Sequence, residues 1–214
     1  MDITWHGLGC FTLTERGYPT VVTDPFDPST TGLRLPQGVT DIVTWSTLLE
    51  DPKDARWPEL RGEPHTLASP GEYEIGGVFI TGIASASGRS GRPGENIIFM
   101  VNYGGVVVCH LGEPSQAPTQ AQVEAMGRVH VLLVPVGTGG GFTLAKASET
   151  VSLVEPDVVI PMQYQTPDLS LKRDAVEGFL KEMGITQPTV LPSLKVVAGV
   201  EPEETQIVLL EPRA

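Results

Sequence analysis

The sequence predicts a layered α/β fold in which β-sheets lie inside and helices cover their outer faces. Two observations lead to this prediction. The first half of the chain consists of short runs of β-branched and aromatic residues that end in glycine or proline turns, and the second half alternates apolar strands with segments of helical periodicity. Elements in this order bury their apolar sides by stacking in layers.

The strands of the first half are bounded by turn residues. We expect hairpin turns at 76–77 and 102–105, where glycine pairs allow the chain to reverse. The ranges expected as strands, with both arms of each hairpin included, are 3–5, 10–14, 20–23, 42–45, 74–81 and 97–109. Glycine, proline and serine are frequent in 28–38 and 87–95, so we expect loops there that either cover a pocket or lie away from it.

The second half contains start and stop signals for helices. Thr119 can cap a helix that Gly127 ends. Pro156 stops a helix over 144–154, and a third helix is expected over 171–183 from the spacing of its apolar residues. The apolar ranges expected as strands between and after these helices are 131–136, 158–161, 194–197 and 206–210.

Composition and charge exclude several classes of protein. The 214 residues include 14 Lys and Arg against 26 Asp and Glu, a formal net charge of −12, which disfavours binding to nucleic acid. No run of about 18 consecutive apolar residues is present, so we expect no membrane span. The first residues lack the basic and apolar regions of a secretory signal. We therefore expect one domain over 1–214, a cytoplasmic location, and neither nucleic acid nor membrane as partner.

The two cysteines, Cys10 and Cys109, lie in apolar, strand-like contexts. Because no secretory signal is visible, we expect buried free thiols rather than a disulfide. Cys109 is followed by His110, and neighbouring side chains of a strand point to opposite faces. This alternation argues against a thiolate–imidazole pair.

A series of motifs extends from the beginning of the chain to residue 164. In order they are ITWHGLGCF at 3–11, VTDPF at 22–26, DIVTWS at 41–46, PGEYEIGGV at 70–78, CHLGE at 109–113, VLLVPVG at 131–137 and IPMQY at 160–164. Together they resemble the metallo-β-lactamase superfamily, in particular its compact branch of zinc-dependent hydrolases related to ascorbate-6-phosphate lactonase. The resemblance implies a four-layer αββα sandwich, with any active site at one edge between the two sheets.

The sequence departs from this family at the positions of the zinc ligands. In working relatives, H-x-H-x-D-H ends the strand before the site and binds one or two zinc ions, which lower the pKa of bound water to about 7. In the same register this chain has Thr47, Leu49, Asp51 and Pro52. Only the aspartate of the motif is retained. Leu8 and Gln163 occupy two further histidine positions, and the range 84–87 holds no histidine.

Asp51 and Glu113 are the carboxylates that remain, and they are weak candidate metal ligands. Zinc held by them alone would be bound weakly because imidazole donors supply much of its affinity, so we expect no metal and no other cofactor. The alternative is a hard cation such as Mg²⁺ or Ca²⁺ on Asp51, Glu113 and Gln163. The residues of the candidate pocket are Thr47, Leu49, Asp51, His110, Glu113 and Gln163.

The histidines and one glycine-rich turn each allow two interpretations. His110 is either a general base beside the pocket, since histidine titrates near about pH 6.5, or a packed residue at a strand end. His6 shares the face of the pocket only if the strand register holds, whereas His65 and His130 are expected at the surface or as caps.

The range 137–141 follows a strand, as phosphate loops do, but lacks their lysine, which favours a role in chain geometry.

Two classes of function follow from these residues. In the first, the zinc centre is lost, and the protein is inactive as a zinc hydrolase and acts in ligand binding, partner binding, regulation or assembly. In the alternative, it is a phosphoester or lactone hydrolase with a non-standard metal or a base in the same cleft. Leu49 and Pro52 favour the first class, and Asp51 and Glu113 favour the second. The small-molecule or protein partner is unidentified from the sequence, and a homo-oligomer is an open alternative.

Overall fold

The computed structural model describes residues 1–48, 60–87, 95–137, 141–200 and 202–213. The strands are β1 (Asp2–Gly7), β2 (Cys10–Thr14), β3 (Val21–Thr23), β4 (Ile42–Thr44), β5 (His65–Leu67), β6 (Gly71–Ile75), β7 (Val78–Ser85), β8 (Asn96–Tyr103), β9 (Val106–His110), β10 (Val131–Pro135), β11 (Val158–Met162), β12 (Thr189–Leu191), β13 (Leu194–Lys195) and β14 (Gln206–Leu210). The helices are α1 (Pro28–Thr31), α2 (Gln120–Met126), α3 (Leu144–Val154) and α4 (Glu177–Glu182).

The strands form two sheets. A six-stranded sheet has the order β13-β1-β2-β3-β4-β5, and an eight-stranded sheet has the order β12-β14-β11-β10-β9-β8-β7-β6. Strands β6 to β9 form an antiparallel meander, whereas the pairs β9–β10, β10–β11, β11–β14 and β14–β12 are parallel. Every residue of β10 is buried, as expected for a parallel strand that is covered on both faces. The layered α/β fold predicted from the sequence is confirmed.

One apolar cluster fills the space between the two sheets. Trp5 and Phe11 from the six-stranded sheet and Phe99 from the eight-stranded sheet are completely buried in it. Tyr103 of β8 reaches across this core. Its hydroxyl lies 3.0 Å from the carbonyl oxygen of Leu13 and 2.8 Å from that of Pro19, and donates to them. Burial raises the pKa of Tyr103 well above its ordinary value, so the hydroxyl stays protonated and ties β8 to the β2–β3 turn.

A second, smaller apolar cluster, here called the outer cluster, covers part of the outer face of the six-stranded sheet. Its buried members are Cys10, Val22, Phe26, Leu33, Leu35 and Leu169. The short helix α1 lies between Phe26 and Leu33 of this cluster in the chain. It starts at Pro28 because the Asp27 carboxylate accepts the backbone N–H of Ser29 at 2.8 Å and caps the first turn. The expected loop 28–38 therefore contains this helical turn and packs on the sheet. Most of the other expected loop, 88–94, lies outside the described residues.

The two cysteines lie in different clusters and are both free thiols, as expected. Cys10 belongs to the outer cluster and Cys109 to the core between the sheets. Burial raises the pKa of each thiol well above its ordinary value, with the Asp24 carboxylate adding to the effect at Cys10. Neither thiol is ionised at neutral pH, so both act as small apolar side chains.

Two of the expected helices agree with the structure, and one is corrected. Thr119 accepts the backbone N–H of Gln122 at 3.3 Å while the Gln122 side chain accepts that of Thr119 at 2.8 Å, a capping box at the start of α2. The helix expected over 171–183 begins only at Glu177 as α4, because Leu171 packs against the outer cluster. Within the described ranges, no helix has the length and apolar character that a bilayer crossing requires.

Candidate functional site

The candidate site lies at the edge of the sandwich where the β1–β2 turn meets the carboxyl ends of several strands. Leu8 and Gly9 come from the turn, Asp24 follows β3, and Ser46 and Thr47 follow β4. From the eight-stranded sheet, the start of β8 and the ends of β9 and β11 face the same edge. The contacts described below link these segments to one another.

Asp24 connects β3 to the segment that follows β4. Its Oδ1 accepts the backbone N–H of Ser46 at 2.6 Å, and its Oδ2 accepts the Ser46 hydroxyl in a very short hydrogen bond. Its own N–H donates to the carbonyl of Thr44 at 2.9 Å. Burial raises the pKa of the Asp24 carboxyl, and the nearby His110 and the hydrogen bonds from Ser46 act against this rise. Through these bonds Asp24 orients the segment that follows β4.

His110 is held by hydrogen bonds to the backbone through both ring nitrogens. The Gly112 N–H donates to Nδ1 at 3.2 Å, so the ring proton is on Nε2, which donates to the Gly9 carbonyl at 2.9 Å. The Asp24 Oδ2 atom lies 3.9 Å from Nε2, beyond hydrogen-bond distance. Of the two interpretations, the geometry agrees with a packed histidine at a strand end, and it leaves no ring lone pair free for a metal.

A catalytic triad is not formed by these groups either. Such a triad needs the imidazole between the hydroxyl and the carboxylate, so that it can take the hydroxyl proton. Here Ser46 donates directly to Asp24, and the His110 ring donates to the Gly9 carbonyl instead. Ser46 and His110 are both buried.

Gln163, another residue of the candidate pocket, follows β11. Its backbone N–H donates to the Leu8 carbonyl at 3.2 Å, and its Nε2 lies 3.5 Å from the Gly112 carbonyl. The side chain is buried, and Oε1 has no hydrogen-bond partner among the described residues. A buried amide oxygen without a partner is costly, typically by about 1–3 kcal/mol. The edge thus contains one unsatisfied acceptor.

Asn96, at the start of β8, joins two other parts of the site. Its Nδ2 donates to the Leu111 carbonyl at 2.9 Å, and its Oδ1 accepts the Glu113 N–H at 2.7 Å. Thr47 lies opposite Asn96 in an isolated β-bridge. Sequence patterns do not select Asn96 or Ser46, because the roles of these residues depend on groups that are distant in the chain. An asparagine at the first position of a buried strand is the one signal that was present.

Backbone strain is concentrated at this edge. Leu8, Asp24 and Gln163 have φ angles of +49°, +33° and +62°, and they are three of the four non-glycine residues with positive φ in the described ranges. The left-handed conformation costs roughly 1–2 kcal/mol for such residues. Strained residues that cluster together are typical of binding and catalytic sites.

The structure brings together four of the six residues of the candidate pocket. Thr47 and Glu113 meet through Asn96, while His110 and Gln163 both bond to Gly112. The other two, Leu49 and Asp51, lie outside the described residues, as does Pro52.

The donor set does not fit a zinc centre with imidazole ligands. The chain has four histidines, and the structure describes all of them. His6 lies on the outer face of the six-stranded sheet and bonds to Thr12, His65 is exposed on β5, and the His130 Nδ1 accepts the Val107 N–H. His110 therefore stands alone at this edge. Within the described ranges, no group of three or more His, Cys, Asp or Glu side chains is placed to hold a metal ion.

The glycine-rich turn after β10 is explained by close packing at its first residue. A Cβ on Gly137 would lie 2.4 Å from the Gln163 carbonyl oxygen and 2.6 Å from the Tyr164 Cα atom. Only glycine allows this approach. The contact supports a role in chain geometry for Gly137, while residues 138–140 lie outside the described part.

Two facing sheets with helices outside, and polar residues at the carboxyl ends of the strands, define a sandwich of the metallo-β-lactamase type. The family described as Beta-lactamase superfamily domain matches residues 2–163, well over half of the chain. The chain belongs to the metallo-β-lactamase superfamily.

Three relatives agree with this assignment. A solved structure from Thermotoga maritima, a candidate Zn-dependent hydrolase of the superfamily, is 33% identical with a TM-score of 0.78 and covers 98% of this chain and 97% of its own. A UPF0173 metal-dependent hydrolase from Thermoplasma acidophilum is 28% identical over 79% of this chain and 85% of the relative. Another, from Methanosarcina mazei, is 28% identical over 50% of this chain, which spans 49% of that relative's length. The protein thus has the fold of a family of metal-dependent hydrolases.

Proposed function

We propose that this superfamily member binds a ligand or a partner protein at the sheet edge and is inactive as a zinc hydrolase. The observation that carries this proposal is the state of His110. Its two ring nitrogens are both occupied by backbone groups, and no other histidine of the chain is at the edge. A catalytic zinc ion needs three protein ligands and an open position for water. The described residues at this edge offer no imidazole for that purpose.

The strained backbone supports continued use of the edge for binding. Leu8, Asp24 and Gln163 keep left-handed conformations although their side chains are not the glycine that this geometry favours. Strained residues that cluster at one edge favour a binding role for that edge.

The first test is the metal content of the untagged protein, measured by plasma mass spectrometry after incubation with ZnCl₂ or MnCl₂ and dialysis. We expect less than about 0.1 equivalent of metal, because the imidazole ligands are missing. The combined variant Thr47→His, Leu49→His, Pro52→His and Gln163→His is the control, and it should hold about one equivalent of zinc. About one equivalent in the wild-type protein would overturn the proposal.

The second test is hydrolysis of bis(p-nitrophenyl) phosphate, p-nitrophenyl phosphate and dihydrocoumarin with and without added ZnCl₂. The wild-type protein should give the rate of the buffer in both conditions. The control variant with the reinstated histidines distinguishes an inactive protein from an unsuitable substrate. Zinc-dependent turnover by the wild-type protein would contradict the proposal.

A second candidate function rests on the unsatisfied Oε1 atom of Gln163. Amide and carboxylate oxygens are the ligands that Mg²⁺ and Ca²⁺ prefer, so Gln163 and Glu113, with Asp51 from outside the described residues, would suit a hard cation. Such an ion must raise the melting temperature, because it binds the native state. The wild-type protein is compared in MgCl₂, CaCl₂ and NaCl with Glu113→Gln and with the exposed control Glu182→Gln. A rise that only Glu113→Gln abolishes would favour a metal-assisted hydrolase with oxygen ligands.

We also propose that residues 1–214 form one domain. The core between the sheets includes Met1 and Leu210, so both ends of the chain contribute to the same cluster. Limited proteolysis that released a folded fragment would contradict this.

A further inference from the structure

We propose a second binding site, for a small organic anion, in a cleft on the outer face of the six-stranded sheet. The cleft has a volume of about 830 Å³ and lies between the face formed by β1, β2 and β3 and the chain segment 33–40. None of its lining residues belongs to the edge site, so the proposal is independent of the function proposed above.

The floor of the cleft is a sheet surface of hydroxyl groups. Thr4 pairs with Thr12 across β1 and β2, and Thr12 pairs with Val22 across β2 and β3, so these side chains form one row. The threonines that line the cleft are Thr4, Thr12, Thr14, Thr20 and Thr40. The Thr40 hydroxyl is buried and has no hydrogen-bond partner among the described residues. A row of hydroxyls next to an unsatisfied one suits a ligand with several polar atoms.

The charge of the lining is opposite to that of the whole protein. The chain has 26 acidic and 14 basic residues, yet the lining contains Arg34 and Arg213 and no aspartate or glutamate. Both arginines are exposed, and neither pairs with a described carboxylate. A guanidinium group binds carboxylate or phosphate through two parallel hydrogen bonds, which makes arginine the usual residue for oxyanions. The ligand that fits this lining is therefore an anion.

Arg213 is held beside the cleft by its own backbone, whose N–H donates to the Trp5 carbonyl at 2.8 Å. The charge of Arg213 also acts on His6 in the floor of the cleft. Burial, together with this charge, lowers the pKa of His6 to about 4. The neutral His6 ring is bonded to the Thr12 hydroxyl, with 2.8 Å between Nε2 and Oγ1. An anion bound at Arg213 would compensate a positive potential that no described carboxylate in the lining offsets.

The apolar residues of the lining determine what uncharged part the ligand can have. Leu33, Leu35 and Pro36 form an apolar wall in the lining of the cleft. A short carbon chain fits between this apolar wall and the hydroxyl floor, with its anionic group at the arginines. The common chemistry is a small organic oxyanion, with either phosphate or carboxylate as the charged group.

The test is a titration of ¹⁵N-labelled protein with glycerol 3-phosphate, glycerate or glycerol, followed by amide chemical shifts at constant ionic strength. We expect at least one of the two anions to shift the amides of Thr4, Thr12 and Thr14 in a saturable way, and glycerol to leave them unchanged. The tighter anion identifies phosphate or carboxylate as the preferred group. Amide shifts are preferred to melting temperatures because phosphate stabilises most proteins without a specific site. If neither anion shifts these amides, the proposal is wrong.

Variants separate a specific site from a general charge effect. Arg34→Gln and Arg213→Gln should each weaken binding by about tenfold or more, as expected for the loss of a charge-assisted hydrogen bond. Arg16→Gln removes the same charge from the exposed β2–β3 turn and should change the affinity by less than about twofold. Thr14→Val keeps the shape of the floor, removes one hydroxyl and should weaken binding by about threefold or more. Equal weakening in Arg16→Gln and the two cleft variants would overturn the site, and the spectra themselves show whether each variant is folded.

Discussion

The Asp24 carboxylate accepts both hydrogen-bond donors of Ser46, with Oδ1 on the backbone N–H and Oδ2 on the hydroxyl. This pair fixes the chain at the point where relatives of the superfamily begin their metal motif. The contact is independent of any metal ligand, because neither residue is at a position of H-x-H-x-D-H. The frame of this edge is therefore held by contacts that involve none of the candidate metal ligands.

Asp24→Asn and Asp24→Ala should differ in stability. Asparagine can still accept the Ser46 N–H and tolerates the left-handed backbone at this position, whereas alanine leaves two buried donors of Ser46 unpaired. At neutral pH we expect Asp24→Asn to be at least as stable as the wild-type protein, and Asp24→Ala to lose about 1–3 kcal/mol. Urea unfolding measures both.

The pH dependence of the same variants provides a check on the raised pKa of Asp24. A carboxyl whose pKa is higher in the folded state stabilises the protein most at low pH, and this contribution falls as the pH rises from 3.8 through the folded value. Asp24→Asn lacks this contribution. A wild-type protein that gains stability relative to Asp24→Asn as the pH rises from about 4 to 7 would contradict the assignment.

His6 should destabilise the protein in acid. Its pKa is lowered from 6.5 to about 4 in the folded state, so the unfolded chain takes up a proton first as the pH falls through this window. The contribution of neutral His6 is present above pH 6.5 and decreases towards pH 4, by up to about 3 kcal/mol. The free energy of unfolding of wild-type and His6→Gln proteins is compared at several pH values. A difference between them that stays constant across the window would show that His6 titrates normally.

Tyr103→Phe should weaken the link between the sheets. The change keeps the buried ring and removes the hydroxyl that donates to the Leu13 and Pro19 carbonyls, so we expect a loss of about 1–2 kcal/mol. Tyr18→Phe is the matched control, since Tyr18 packs edge-on against Tyr103 but is 38% exposed, and its effect should stay within about 0.5 kcal/mol. Similar losses in both variants would show that the buried Tyr103 hydroxyl contributes no more to stability than the exposed Tyr18 hydroxyl.

Gly112→Ala should be far more harmful than Gly184→Ala. Both glycines have left-handed φ angles, +69° and +70°, so each substitution costs about 1–2 kcal/mol from the backbone alone. A Cβ on Gly112 would also lie 2.4 Å from Asn96 Oδ1 and 2.6 Å from Ser46 Cβ, whereas one on Gly184 would meet nothing within 4 Å. We expect an additional loss of about 1–3 kcal/mol for Gly112→Ala. Thermal unfolding of the two variants gives the difference, and equal losses would mean that the edge can open at little cost.

The sequence was sufficient for elements whose signals are local. The helix cap at Thr119 and the glycine turns at 76–77 and 102–105 depend on residues a few positions apart, and each lies where its pattern predicts. Short strands such as β5 and β12 were missed, because three residues carry too little periodicity. The start of α4 was misplaced because the tertiary contact of Leu171 with the outer cluster overrides its helical spacing.

The hydrogen bonds and contacts of the candidate site were harder to predict from the sequence than the helices and turns. The absence of the family histidines is visible in the sequence, but the tautomer of His110 depends on Gly9, which is 101 positions away. The cleft on the outer face requires Arg213 beside β1, a contact between opposite ends of the chain. Sequence patterns give the periodicity of a strand, and they do not identify which distant backbone group meets a side chain.

The two free thiols can report opening motions of two different parts of the protein, because they lie in separate apolar clusters. A thiol reagent reacts with a buried cysteine only while the surrounding structure is open, so the labelling rate measures how often that happens. Cys10 becomes reachable when the segments packed on the outer cluster lift away, whereas Cys109 requires the two sheets to separate. Labelling of Cys10 that outpaces labelling of Cys109 would reveal a local fluctuation on the outer face, next to the proposed cleft. The two native cysteines therefore distinguish local opening of the outer face from separation of the two sheets, and no cysteine has to be introduced.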